Sequence, residues 1–215
     1  MHIAQLAMNL GVNALEAKIA SNDKVTDNVL QLVRSPLLQG SALKTLLLYF
    51  NTIVKVHPNK YKDTARALTG RVYSGPEPES RNEIHNIARC LAELTISWGN
   101  GQKSAIEPVI GQMLTDSEHA QSDCVKQFSL LTLGELGHRT PLGPKVIQHQ
   151  ISQFKASSED IKVAAALGLG LTAAGNLVEV LPILLNNLNI DDSQGNYLTL
   201  LAIKQGNLSD AIHII

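Results

Sequence analysis

Seven histidines are the residues of this chain that could most readily act as metal ligands or as a general base. They are His2, His57, His85, His119, His138, His149 and His213. None of them has a cysteine, a second histidine or a carboxylate at the spacing of a zinc site. No serine lies in a G-x-S-x-G turn, which would expose a nucleophile. The sequence therefore predicts no catalytic residue and no metal site, and we interpret the chain as not being an enzyme.

Three glycines, Gly168, Gly170 and Gly175, superficially suggest a nucleotide-binding loop. Their spacing matches neither G-x-G-x-x-G nor G-x-x-x-x-G-K-[ST], and no predicted strand precedes them. The sequence therefore predicts no cofactor. We interpret these glycines as small residues that let packed helices approach closely, with Gly175 near a helix end.

Two acid–base pairs recur at similar places, Asp123 with Lys126 and Asp160 with Lys162. They could form a structural ladder of hydrogen bonds, in which each exposed pair contributes about 0 to 1 kcal/mol. Trp98 could be a binding hot spot, because tryptophan is enriched in such positions. Packing of Trp98 against the following hairpin is our preferred interpretation.

The composition, with 44% apolar and 4% aromatic residues, fits one folded unit. No basic and apolar signal-peptide pattern follows Met1, so we predict a soluble, intracellular chain. A net charge of -1 gives no sequence-wide field that would attract nucleic acid or an anionic membrane. No apolar run approaches the roughly 18 residues that a membrane span requires. The two cysteines, Cys90 and Cys124, make no secreted disulfide framework and are interpreted as buried thiols. We predict no nucleic acid, membrane or small-molecule substrate as partner.

Apolar residues recur at steps of three and four in two segments about forty residues apart, which is the pattern of a buried helix face. The first stripe consists of Leu43, Leu46, Leu47, Phe50, Ile53 and Val54. The second consists of Ile84, Ile87, Ala88, Leu91 and Leu94. Two such helices at this separation indicate an internal repeat.

Prolines mark the same repeat in the second half of the chain. Pro108, Pro144 and Pro182 lie 36 and then 38 residues apart, and an apolar pattern follows each. Proline is tolerated in a first helical turn because its missing N–H would be unpaired there anyway. We therefore predict that each of the three opens a helix.

Polar breaks separate these segments from second, more hydrophobic helices, which are predicted at Val125 to Leu136 and at Ile161 to Leu171. Thr115 with Glu118, and Ser157 with Asp160, have the spacing of a capping box within the breaks. The breaks therefore predict where the second helices begin.

A two-helix unit of about 36 to 43 residues has the size of a HEAT or armadillo repeat. We predict an all-α chain: one right-handed α-solenoid over residues 1 to 215, with about five helical hairpins. Its long concave and convex faces would suit protein binding better than small-molecule chemistry. The polar stretch from Arg71 to Arg81 is expected to be a mobile surface loop, either a plain connection or a partner contact.

Several motifs, in order and spacing, resemble the middle of one family of HEAT-repeat proteins. They are Ser35-Pro36-Leu37-Leu38-Gln39-Gly40, Leu68-Thr69-Gly70 with Val72-Tyr73-Ser74, Ile87-Ala88-Arg89-Cys90, Leu133-Gly134-Glu135-Leu136-Gly137-His138, Ser157 to Lys162, and Gly175-Asn176-Leu177 leading into Leu181-Pro182. The family is that of the cullin-associated, neddylation-dissociated proteins, also called the TATA-binding-protein-interacting family. The resemblance covers about residues 1 to 201.

This resemblance implies a HEAT superhelix of the nucleus and cytoplasm that wraps unmodified cullin–RING scaffolds, blocks neddylation and promotes exchange of substrate receptors. The family grips the cullin largely through its terminal regions, so no binding residue carries over to this chain. Met1 falls within a repeat and Gln205 to Ile215 departs from the family, so we expect a fragment of a longer solenoid or a shortened paralogue. A general HEAT-repeat adaptor and a truncated relative without function remain open.

Overall fold

The computed structural model describes residues 23 to 206, apart from 36, 76–77, 79 and 189–191. Every regular element in this part of the chain is helical, and the α-helices pack as adjacent pairs. They are α1 (Asp23–Val33), α2 (Gly40–Val56), α3 (Tyr61–Tyr73), α4 (Arg81–Trp98), α5 (Lys103–His119), α6 (Asp123–Gly137), α7 (Pro144–Ser152), α8 (Glu159–Gly175), α9 (Leu177–Asn186) and α10 (Ser193–Gln205). Two 3-10 turns span Pro58–Lys60 and Gln153–Lys155. The all-α prediction is confirmed.

Two compact units meet in sequence between Ile106 and Glu107, within α5. In the first unit, both α2 and α3 pack on α4. The two predicted apolar stripes face this core, where Leu47 is half-buried and their other residues are buried. Asn51 Nδ2 on α2 donates to Glu93 Oε1 on α4 over 2.7 Å, so a polar link supplements the apolar packing.

The second unit is organised around α8, which packs on both α6 and α10. Its core includes Phe128, Leu133 and Leu169, which are fully buried. The shorter helices α7 and α9 also contact α8. Each unit holds one buried cysteine that forms no disulfide, Cys90 in the first and Cys124 in the second, as the sequence predicted.

The proline prediction holds at one position and is wrong at two. Pro144 is the first residue of α7, whereas Pro108 and Pro182 lie inside α5 and α9, each five residues after the helix begins. An internal proline removes the hydrogen bond to the carbonyl four residues earlier. Those carbonyls belong to Ser104 and Val178, which are exposed. Water can therefore satisfy them, and the two helices continue through their prolines.

The predicted start of the helix after Thr115 is also wrong. Thr115 lies inside α5, where its hydroxyl donates to the Gly111 carbonyl one turn earlier. A threonine within a helix commonly makes this hydrogen bond. Ser122 is the N-cap of α6, and its hydroxyl accepts from the Val125 N–H. At α8 the N-cap is Ser158, one residue beyond the predicted position.

Some predictions fall outside the described residues. These are the middle of the Arg71 to Arg81 stretch (76–77 and 79), Pro36 of the six-residue motif, Met1, and residues 207–215 of the C-terminal segment. The described part of that stretch shows α4 beginning after its N-cap Ser80, whose hydroxyl accepts from the Glu83 N–H. Among the described helices, none has the length and apolar character needed to cross a membrane.

Candidate functional site

A polar cluster of Ser117, Glu118 and His149 joins α5 to α7. Ser117 Oγ lies 2.8 Å from His149 Nε2, and Glu118 Oε1 lies 3.6 Å from His149 Nδ1. A hydroxyl, an imidazole and a carboxylate in this order are the groups of a serine-hydrolase triad. Sequence reasoning missed the cluster because its serine and histidine are 32 residues apart, on different helices.

The hydrogen bonds of this cluster fit a structural link rather than a nucleophile. The Ser117 hydroxyl donates its single proton to the Leu114 carbonyl over 2.8 Å, so His149 Nε2 acts as the donor to Ser117 Oγ. A general base would have to accept that proton. Ser117 is also only 1% exposed. Elsewhere among the described residues, no group of three His, Cys, Asp or Glu side chains could hold a metal ion.

We expect His149 to make stability depend on pH. Burial lowers its pKa below the ordinary value of 6.5, the Glu118 carboxylate opposes this shift, and Lys145 adds to it. The folded state thus disfavours the protonated ring. The stability that the neutral ring of His149 contributes is therefore complete above pH 6.5 and is lost as the pH falls below it. His149→Gln should flatten the decline in the free energy of unfolding, measured by urea titration on both sides of that pH.

The matched control for this pH dependence is His119→Gln, since the His119 side chain is 75% exposed. The decline in stability with falling pH should persist in this variant, because His149 is still buried. A slope that is the same in the His149 variant and the wild type would contradict the assignment.

The glycines that resembled a phosphate-binding loop lie where helix backbones meet. A Cβ added to Gly168 would lie 2.5 Å from the carbonyl oxygen of Leu130 in α6. A Cβ on Gly134 would collide with the backbone of Gly168. A Cβ on Gly170 would collide with the backbone of α10. A Cβ on Gly175, the last residue of α8, would collide with the backbone where α6 ends. The interpretation as small residues that permit close helix packing is confirmed.

Trp98 packs on the preceding helix, α3, whereas we predicted from the sequence that it would pack against the following hairpin. Its ring stacks on that of Tyr61 at the start of α3, with centroids 4.3 Å apart and planes 12° from parallel. The Tyr61 hydroxyl lies 3.2 Å from Thr95 Oγ1, and burial raises the pKa of Tyr61. Because the start of α3 meets the end of α4, the two rings come together and Trp98 stays 37% exposed.

Lys162 forms an ion pair with Glu159. The sequence predicted Asp160, the residue after Glu159, as the partner of Lys162. Lys162 Nζ lies 2.7 Å from Glu159 Oε1, and Gln194 Nε2 of α10 donates to the same oxygen over 3.1 Å. The Lys162 hydrogen bond lowers the pKa of Glu159. This carboxylate therefore bridges α8 and α10.

The face of α2 opposite its buried stripe is cationic. Lys44 and Lys55 are exposed, Leu48 between them is 51% exposed, and α2 contains no acidic residue. Residues 34 to 74 contain seven Lys or Arg residues and one Asp. Sequence reasoning used only the net charge of the whole chain and missed this face, which a count of local charge would have found.

The chain is similar to curated proteins over almost its whole length. It is 29% identical, over 95% of its residues, to Cullin-associated NEDD8-dissociated protein 1 of Arabidopsis thaliana, and 30% identical, over 95%, to the protein of that name from Drosophila melanogaster. It is 29% identical, over 95%, to Cullin-associated NEDD8-dissociated protein 2 of Rattus norvegicus. The chain spans only 18%, 18% and 17% of these relatives. No family profile matches it.

Proposed function

We propose that this chain, which is homologous to a segment of the cullin-associated NEDD8-dissociated proteins, is a protein-binding HEAT-repeat scaffold segment whose partner is a cullin–RING ligase. The observation that carries the proposal is sequence similarity over 95% of the chain to relatives named for cullin association. The paired helices agree with the HEAT repeats that this homology implies. The relatives are named for cullin association as whole proteins, and the proposal extends this association to a chain that spans less than a fifth of their length.

The proposed role needs a rigid support for exposed helix faces rather than a reactive group. Glycine-mediated backbone contacts hold α8 against α6 and α10, and the partly buried Asn51–Glu93 hydrogen bond links α2 to α4. Such contacts leave few alternative packings, so a partner would meet preformed surfaces. In this proposal the chain binds the unneddylated cullin in the nucleus and cytoplasm and helps substrate-receptor modules to exchange.

The direct test is capture of purified cullin–RING complexes by the immobilised chain. We expect the unneddylated complex to be enriched over the neddylated complex, and over capture by an unrelated HEAT-repeat array of similar length and charge. Capture no better than that of the unrelated array would contradict independent cullin binding by this chain.

A general adaptor role is the second candidate, and the short span relative to the relatives favours it. A segment of this size can present a helix face without the rest of a long solenoid. Chemical crosslinking in cells followed by mass spectrometry separates the two candidates. Partners that include no cullin would favour the adaptor.

A further inference from the structure

We propose that the exposed face shared by α2 and α4 docks an acidic protein segment that also inserts an apolar side chain. The face is formed by Lys44, Leu48 and Lys55 on α2, with His85 and Arg89 beside them on α4. This inference deepens the proposed scaffold role by naming the chemistry of a partner. It does not require that partner to be a cullin.

The positions on the two helices form one surface. Lys44, Leu48 and Lys55 are separated by steps of four and seven residues, which places them on one side of α2. His85 follows Lys44 by 41 residues, close to the 42-residue separation of the hydrogen-bonded pair Asn51 and Glu93. The lysine and the histidine therefore lie at similar heights along two neighbouring helices.

The side of α4 that carries this face is opposite the side on which α3 packs. Tyr61 of α3 stacks on Trp98. Trp98 follows Arg89 by nine residues, or two and a half helical turns, so the two side chains leave opposite sides of α4. His85 and Arg89 are half-buried. Lys44, Leu48 and Lys55 are exposed in the folded chain, so a partner can reach them without displacing a described helix of the first unit.

No exposed acid of either helix offsets the charges of Lys44 and Lys55. Among the residues of α2 there is no Asp or Glu. The two acids of α4 are buried, with Glu83 2% and Glu93 6% exposed. Glu83 is directed at Arg71 of α3, 3.2 Å away. A complementary partner would therefore carry carboxylates, because opposite potentials steer association and fix register.

The spacing on this face suits a protein segment better than a nucleic acid. By the helical rise of about 1.5 Å per residue, Lys44 and Lys55 lie about 16 Å apart along α2, a sparse array for the closely spaced phosphates of nucleic acid. Leu48 lies between them with half of its surface exposed. Burial of this leucine stabilises only a complex in which the partner also supplies apolar surface.

The test measures binding of the full chain to a fluorescein-labelled, 20-residue helical peptide with glutamates on one face and leucines on the other. Fluorescence anisotropy should show binding that weakens with added salt. Lys44→Glu with Lys55→Glu should raise Kd about tenfold or more, because attraction becomes repulsion. Leu48→Ala should raise Kd by about threefold, as expected for partial burial of a leucine.

The matched control is Lys62→Glu with Arg66→Glu, which makes the same change of charge at exposed positions of α3. It should change Kd by less than about twofold, since screening limits the reach of exposed charges. Equal weakening by both double variants would overturn the assignment to this face. All four positions are exposed, so circular dichroism should show the same helix content in both double variants.

Three further outcomes are decisive. Single-stranded DNA that binds more tightly than the peptide, with sensitivity to the Lys44 and Lys55 changes but not to Leu48→Ala, would overturn the protein-segment assignment. A chain that captures a cullin–RING complex but does not bind the peptide keeps the proposed function and overturns this inference. A chain that binds the peptide through this face but captures no cullin supports the inference and contradicts the proposed function.

Discussion

Replacing Gly168 by alanine is expected to destabilise the second unit by about 1 to 3 kcal/mol or more, the range seen when atoms are forced into a packed interior. The added Cβ would lie 2.5 Å from the Leu130 carbonyl oxygen. That oxygen belongs to the backbone of α6 and cannot rotate away, so the helices would have to separate. Urea unfolding followed by far-UV circular dichroism measures the loss.

The same chemical change at Gly111 is the control, and we expect the opposite sign. Gly111 lies within α5 in the second unit, is exposed, and has no atom within 4 Å of an added Cβ. Gly111→Ala should therefore stabilise the chain by about 0.5 to 1 kcal/mol, because alanine restricts the unfolded backbone and favours a helix. Two variants with shifts of the same sign would contradict the close-packing account.

The second large effect is expected at the buried ion pair between α3 and α4. Arg71 Nε lies 3.2 Å from Glu83 Oε1, and the two side chains are 19% and 2% exposed. Arg71→Met removes the cation beside a carboxylate that water reaches poorly. We expect the free energy of unfolding to fall by about 3 to 5 kcal/mol, the usual cost of breaking a buried pair.

Two comparisons make this prediction specific. Arg66→Met removes an arginine of the same helix that pairs with Asp63, and both of these side chains are more than four-fifths exposed. This change should lower the free energy of unfolding by less than about 1 kcal/mol. Combining Arg71→Met with Glu83→Leu should recover most of the loss, because no charge then stays buried. A double variant as unstable as Arg71→Met alone would show that the loss comes from packing.

Helix type and core faces could be predicted from the sequence because they are local properties. The stripe of Ile84, Ile87 and Leu91 has the helical period, and all three residues are buried. The prolines show the limit of such reasoning. Whether Pro182 begins α9 or lies within it depends on the exposure of the carbonyl four residues earlier, which only the packed helix decides.

Contacts between helices were harder to predict than the helices themselves. Gly168 and Gly170 could be interpreted as packing residues because their spacing rules out a phosphate loop. The hydrogen bond between Ser117 and His149 joins residues 32 positions apart, and no sequence pattern connects them. Trp98 was assigned to the wrong neighbour for the same reason, because its partner Tyr61 is at the start of a different helix, α3.

The two buried thiols can report on local unfolding of this chain without an added label. Cys90 is 0% exposed in the first unit and Cys124 is 8% exposed in the second, and they are the only cysteines of the sequence. A thiol reagent can modify each one only when its surroundings open. With enough reagent to react before the protein recloses, mass spectrometry of the two modified peptides would give one opening rate for each unit, and unequal rates would show that the units open separately.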